Sequence, residues 1–183
     1  VSFDAAKVLG ELPEATGVMK GEGEETFAQL AGYYVDKLCE KGTDSGKILP
    51  DGQACLENIP GLVFPLPDGS LADTGVRRAM DMSRIPFPYK HMDIKDLEHR
   101  IIYYESSRGC PFSCSYCLSS IDKRLRFRNL DLVKKELAFF LEQKVPQVKF
   151  VDRTFNCKKD HAMAIWKFIA EHDNGVTNFH FEI

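Results

Sequence analysis

The sequence predicts an α/β protein whose C-terminal part is built on parallel strands. Three observations carry that prediction. Residues 100–183 alternate strand, helix, strand, helix and strand, as "RIIYY", "NLDLVKKELAFFLEQK", "QVKFVDRTF", "KKDHAMAIWKFIAEH" and "TNFHFEI". At this spacing helical crossovers join the strands, which therefore run parallel with right-handed connections. Residues 1–42 give helix, short strand, glycine-rich turn and helix, the order found at the end of an open α/β domain. Between these parts the texture changes and six prolines gather: Pro50, Pro60, Pro65, Pro67, Pro86 and Pro88. The expected divisions are 1–42, a connector over 43–97, and 98–183.

Each element has a local reason. "SFDAAKVLGEL" offers Ser2 or Asp4 as an N-cap and stops before Pro13, which predicts a short helix. "TGVMKG" reads as a short strand running into glycine. In "GEGEETFAQLAGYYVDKLCEKG", Phe27, Leu30, Ala31, Tyr34 and Leu38 share one helical face, with Gly42 as the stop. "GLVFPLPDGSLADTG" predicts a hairpin turning at Asp68-Gly69, with an irregular connection as the equal alternative. The two later helices expose one apolar side each: Leu130, Val133, Leu137 and Phe140 or Leu141 on the first, and Met163, Trp166, Ile169 and Ala170 on the second. The missing initiator methionine, and the last strand without a covering helix, predict a fragment of a longer chain.

Bulk properties narrow the function classes. The 183 residues are 44% hydrophobic and 28% charged, which suits a packed core. A net charge of -3 gives no electrostatic footprint for nucleic acid. No apolar run approaches the length of a membrane span, and the first residues lack the basic and apolar regions of a secretory signal. A cytoplasmic protein is the expectation, and in that reducing compartment clustered cysteines read as metal-binding or catalytic.

The cluster is "RGCPFSCSYC", in which Cys110, Cys114 and Cys117 give C-x3-C-x2-C directly after the first strand of the parallel part. Thiolates are preferred ligands of iron-sulfur clusters, and a compact loop can wrap three of them around one cube. The alternative is structural zinc, which needs a fourth ligand, and Cys157 and His161 are the nearest further candidates. That alternative implies a binding module without catalysis. Location favours chemistry, because sites in parallel α/β units lie beyond the carboxyl ends of the strands. Asp152-Arg153 and Glu182 fall at the ends of the second and third strands.

These residues resemble the signature of the radical S-adenosylmethionine (SAM) superfamily, C-x3-C-x-aromatic-C, with Tyr116 as the aromatic. The resemblance implies an enzyme holding a 4Fe-4S cluster on Cys110, Cys114 and Cys117. SAM would chelate the fourth iron, and its reductive cleavage would release methionine and a 5′-deoxyadenosyl radical. It implies Tyr116 against the adenine, Asp152 or its neighbouring backbone at the SAM amino group, and Glu182 at the ribose. "VSFDAAKVLGELPEATGVMKGEGEETFAQL" resembles the C-terminal part of the Rossmann-like cobalamin-binding domain found upstream in one class of the superfamily. Gly21, Glu22, Gly23 and Glu24 would then touch the corrin rim. A simpler reading is that Glu22, Glu24 and Glu25 compensate the helix dipole.

The implied fold is the end of that domain, a connector and the first units of a partial (β/α) TIM-like barrel. The implied reaction is cobalamin-linked methyl transfer to an unknown small-molecule substrate, with a methylthiotransferase-like reaction as an alternative. Flavodoxin or ferredoxin would supply electrons. Two departures stand out: no D-x-H-x-x-G motif is present, and "FVDRTFN" replaces the G-G-E motif common after the second strand. The basic stretch "DKRLRFRN" reads as a solvated face, with contact to an anionic substrate, the SAM carboxylate or an electron donor as the alternative.

Overall fold

Asp4 caps the first helix: its side chain accepts from the Lys7 amide at 3.1 Å, and α1 runs over Ala5–Glu11. The computed structural model describes residues 4–40, 56–92, 95, 97, 100–117 and 124–182. The expected helix stop at Gly42 lies outside them, as do Cys55 and the side chains of Leu38 and Cys39. The chain divides into two units, Val1–Met80 and Asp81–Ile183.

In the first unit, β1 (Val18–Met19), β2 (Leu62–Pro65) and β3 (Leu71–Asp73) form an antiparallel sheet in that order. The predicted hairpin is β2–β3. Its turn closes where Gly69 takes φ +84° and the Asp68 carboxylate accepts the Ser70 amide at 2.9 Å. The long helix α2 covers Glu24–Glu40. Its inward stripe differs from the expected one, since Thr26 is fully buried and Leu30 and Tyr33 pack on Ile59, Leu62 and Phe64, whereas Phe27 is 59% exposed. Thr26 donates to the Pro60 carbonyl at 2.9 Å, a polar contact on the same face as Leu30 and Tyr33.

In the second unit, β4 (Ile102–Tyr104), β7 (Gln147–Phe150) and β8 (Asn178–His180) pair in parallel as β4-β7-β8. The crossovers are α3 (Leu130–Glu142) and α4 (Lys159–Glu171), as the alternation predicts. Asn129 caps α3, accepting the Asp131 amide at 2.8 Å. One core joins the sheet to these helices: Ile102, Tyr104, Val148 and Phe150 pack with Val133, Leu137, Phe140, Ala162 and Ile165. Fully burying each of these larger side chains stabilises the fold by about 1.5–3 kcal/mol. Edge-to-face contacts link Tyr104 to Phe140 and Phe150, and Phe150 to Phe155. On α4 the expected residues Trp166 and Ile169 pack against the core, but the most buried positions lie to one side of them. His161, Ala162 and Ile165 are buried, while Met163 is 50% exposed and Ala170 faces solvent.

The basic stretch departs furthest from expectation. Arg128 is 6% exposed, paired with Glu136 of α3, and donates to the backbone carbonyls of Met82 and Ile85. Tyr104 donates to the same Glu136 at 2.6 Å. This run therefore includes a buried clamp, not only a solvated face. Burial of Arg128 favours its neutral form, but the Glu136 carboxylate outweighs it and holds the guanidinium charged.

Candidate functional site

The three cysteines sit on a loop with a closed neck. Two short strands, β5 (Ser107–Arg108) and β6 (Arg126–Phe127), pair antiparallel with Ser107 opposite Phe127 and Arg108 opposite Arg126. One step below, the Arg128 amide donates to the Ser106 carbonyl at 2.9 Å. One step above, Gly109 takes φ +101°, and a Cβ there would lie 2.4 Å from the Arg124 carbonyl oxygen. Only glycine fits that approach. Neck formation thus rests on backbone, and the thiols need contribute nothing to it.

Asp152 fastens the neck to the sheet. It follows β7, is fully buried, and accepts from the Ser106 amide at 3.1 Å, the Ser106 hydroxyl at 2.8 Å and the Ser107 hydroxyl. Burial pushes its carboxyl above the ordinary range, and these hydrogen bonds pull partly the other way. Both oxygens are turned to the loop, so the side chain acts here as a tie.

Within the loop, Cys110 is half-buried with its Sγ 3.6 Å from the Thr154 hydroxyl. Cys114 is exposed and Cys117 half-buried, and the Cys117 amide donates to the Cys114 carbonyl at 3.2 Å. That tight turn throws Tyr116 outward, 91% exposed. None of the three thiols, nor Cys157, is in a disulfide. Among the described residues no three His, Cys, Asp or Glu side chains converge closely enough to hold a metal ion. Cys157 ends a 3-10 turn, Phe155–Cys157, and burial pushes its thiol pKa up. His161 is 3% exposed beside the Phe127 ring, and burial, then the nearby Lys158 charge, bring it down to about 4.

Glu182 follows β8, two residues beyond His180. Its carboxylate pairs with Lys149 of β7 at 3.1 Å, and its carbonyl accepts the Phe155 amide at 3.1 Å. Cys110, Asp152 and Glu182 thus lie at the carboxyl ends of strands in one unit, as the sequence predicts. Lys149 was not foreseen. Alternation in "QVKFVD" places it opposite the core face, which was the available signal.

The glycine-rich turn lies in the other unit. Gly21 takes φ +72°, and the Glu22 carboxylate accepts the Met80 amide at 3.4 Å. Gly23 accepts through its carbonyl from the Phe27 amide at 2.7 Å, and Glu24 opens α2. Arg77 was missed by sequence reasoning: it donates to Thr26 at 2.9 Å, reaches Gln29, and pairs with Glu25 at 3.5 Å. The acidic helix start is thus partly balanced by a specific cation as well as by the helix dipole. No sequence spacing signals a partner so far along the chain.

The fold is similar to segments of solved radical SAM enzymes, as the resemblance of the cysteine loop implies. The solved enzyme OxsB, described with aqua-cobalamin and SAM bound, superposes with a TM-score of 0.67 at 17% identity over 98% of this chain and 24% of its own. TsrM from Kitasatospora setae, a radical SAM methyltransferase described with tryptophan and a SAM analogue, gives 0.57 at 20% identity over 91% of this chain and 31% of its own. By sequence the chain is 31% identical over 172 residues to an uncharacterized methyltransferase of Pyrococcus horikoshii, covering 90% of this chain and 34% of that protein. It is 25% identical over 122 residues to the anaerobic magnesium-protoporphyrin IX monomethyl ester cyclase of Rubrivivax gelatinosus, covering 63% of this chain and 20% of that one. The chain therefore spans about a third or less of the relatives it matches. No protein-family model matches it. The described residues include no helix long and apolar enough to cross a membrane.

Proposed function

We propose that this chain is part of a cobalamin-dependent radical SAM enzyme, in which Cys110, Cys114 and Cys117 are the protein ligands of a 4Fe-4S cluster. The observation that carries the reading is the loop itself: three thiols within eight residues, none in a disulfide, on a backbone-closed neck at the carboxyl ends of parallel strands. The donor set fits the group, since thiolates are the ordinary cluster ligands and none of the three is spent on a disulfide. When bound, such a cluster supplies an open iron for SAM and the electron that cleaves its sulfonium bond. The chain's own residues do the positioning. Asp152 and Gly109 hold the loop, Tyr116 offers an exposed ring to the adenine, and Glu182 offers a carboxylate to the ribose.

On this reading residues 98–183 open a partial (β/α) barrel, 43–97 connect, and 1–42 end a cobalamin-binding domain. Gly21, Glu22, Gly23 and Glu24 then lie at the corrin rim. The reaction is methyl transfer to a carbon or phosphorus centre of a small molecule, with electrons from a flavodoxin or ferredoxin. The methyltransferases among the relatives support that class of reaction. Anaerobic reconstitution tests the cluster: about four irons and four sulfides per chain are expected, and each Cys→Ala variant should lower the yield. Stoichiometric zinc without sulfide would refute the reading and favour a zinc-binding module. Added SAM and a strong reductant should then give 5′-deoxyadenosine, less of it in Tyr116→Ala.

A further inference from the structure

A parallel sheet packed by helices on both faces reads as continuous apolar strands. The sheet of the second unit does not. Its helix-packed face is Ile102, Tyr104, Val148 and Phe150, all buried. The opposite face carries Tyr103, Lys149 and His180 in a single cross-strand row, fixed by the register Tyr103↔Lys149↔His180. Below it lies a second polar pair, Gln147 opposite Asn178. Adjacent strands lie about 5 Å apart, so the row places three hydrogen-bonding side chains along about 10 Å.

These groups are accessible and largely uncommitted. Tyr103 is 55% exposed, the Lys149 side chain 39%, and His180 is exposed. Among the described residues Lys149 pairs with one carboxylate, Glu182, itself 59% exposed at the strand end. An exposed ion pair of this kind is weak, so an incoming anion displaces the carboxylate at small cost. The Tyr103 hydroxyl and His180 ring flank Lys149 on either side and can donate to the same anion. A lysine standing in the central strand of the sheet also carries a desolvation cost wherever that face is closed off, unless a negative group meets it.

We propose that the Tyr103–Lys149–His180 row binds an anionic group, a carboxylate or a phosphate, of the compound on which the enzyme acts. Only the assignment to substrate rests on the radical SAM reading; the anion site rests on the sheet. Lys149 supplies the charge, Tyr103 and His180 fix its direction, and Glu182 holds the ammonium in place until the anion arrives.

The test is the rate of acetylation of Lys149, read by mass spectrometry, with Lys167 as internal reference because its side chain is 74% exposed. Inorganic phosphate or acetate should slow acetylation of Lys149 saturably and leave Lys167 unchanged. Tyr103→Phe and His180→Ala should each require several-fold more anion, and Glu182→Gln several-fold less because the competing carboxylate is gone. Equal slowing at both lysines, the same slowing by tetramethylammonium chloride, or variants that leave the anion dependence unchanged would overturn the proposal. None of this needs a cluster, so its failure and failure of cluster loading are separate results. In the reconstituted protein saturated with SAM, phosphate should still protect Lys149. If SAM alone gives full protection and phosphate adds none, the row serves the SAM carboxylate and the substrate assignment falls.

Discussion

Replacing Gly109 by alanine should open the neck of the cysteine loop and leave the core intact. At φ +101° an L-residue is strained by about 1–2 kcal/mol before any contact is considered. The added Cβ would also sit 2.4 Å from the Arg124 carbonyl oxygen, which is backbone and cannot rotate away. Relief requires the two sides to part, at the expense of β5–β6 hydrogen bonds that contribute about 0.5–1.5 kcal/mol each. The local total is roughly 2–5 kcal/mol, which raises amide exchange at Arg108, Arg126 and Arg128, the amides that bond across the neck, by about 30-fold to several thousand-fold. Hydrogen exchange with mass-spectrometric readout measures this directly. Gly175→Ala is the control, because Gly175 also has positive φ (+69°) but nothing within 4 Å of an added Cβ. It should lower the melting temperature slightly and leave the neck protected. Iron and sulfide loading should fall in Gly109→Ala and hold in Gly175→Ala. Unchanged exchange at the neck in Gly109→Ala would refute the reasoning, whatever the iron content.

Three further outcomes follow from buried polar groups. Asp152→Asn keeps the shape but sets an amide NH2 against donors at Ser106 or Ser107, and should cost about 1–3 kcal/mol in urea unfolding. His161 titrates near 4 when folded against about 6.5 when unfolded, so its contribution is complete above pH 6.5 and is lost as pH falls towards 4. The full loss is on the order of 3 kcal/mol, and His161→Leu should flatten the stability profile across that window. Glu136→Gln leaves the Arg128 guanidinium buried without its carboxylate and should cost about 3–5 kcal/mol in urea unfolding.

The helices and the parallel strands were legible because local rules fix them: Asp4 and Asn129 cap, and apolar residues recur with helical period. Helix rotation was less legible. On α2 Thr26 takes the inward position and bonds the Pro60 carbonyl, while Phe27, one residue on, is left outside. On α4 the inward place goes to His161 and Met163 is left outside, an arrangement that hydropathy ranks backwards. The antiparallel sheet of the first unit joins β1 to a strand more than forty positions away, beyond any periodicity. At the candidate site the cysteines and the strand-end carboxylates could be read directly from type and spacing. Their supports could not, because Arg128, Arg77 and the Asp152–serine tie are defined only by partners brought near in space.

The order in which the neck is made bears on biogenesis. Ser107 and Phe127 are close in sequence and pair through the backbone, so the loop can close as soon as Phe127 leaves the ribosome. Asp152 emerges later, with the strand it follows, and only then are Ser106 and Ser107 captured from below. The orientation of the cysteines towards the strand ends therefore depends on a residue more than thirty positions further along the chain than the last of them.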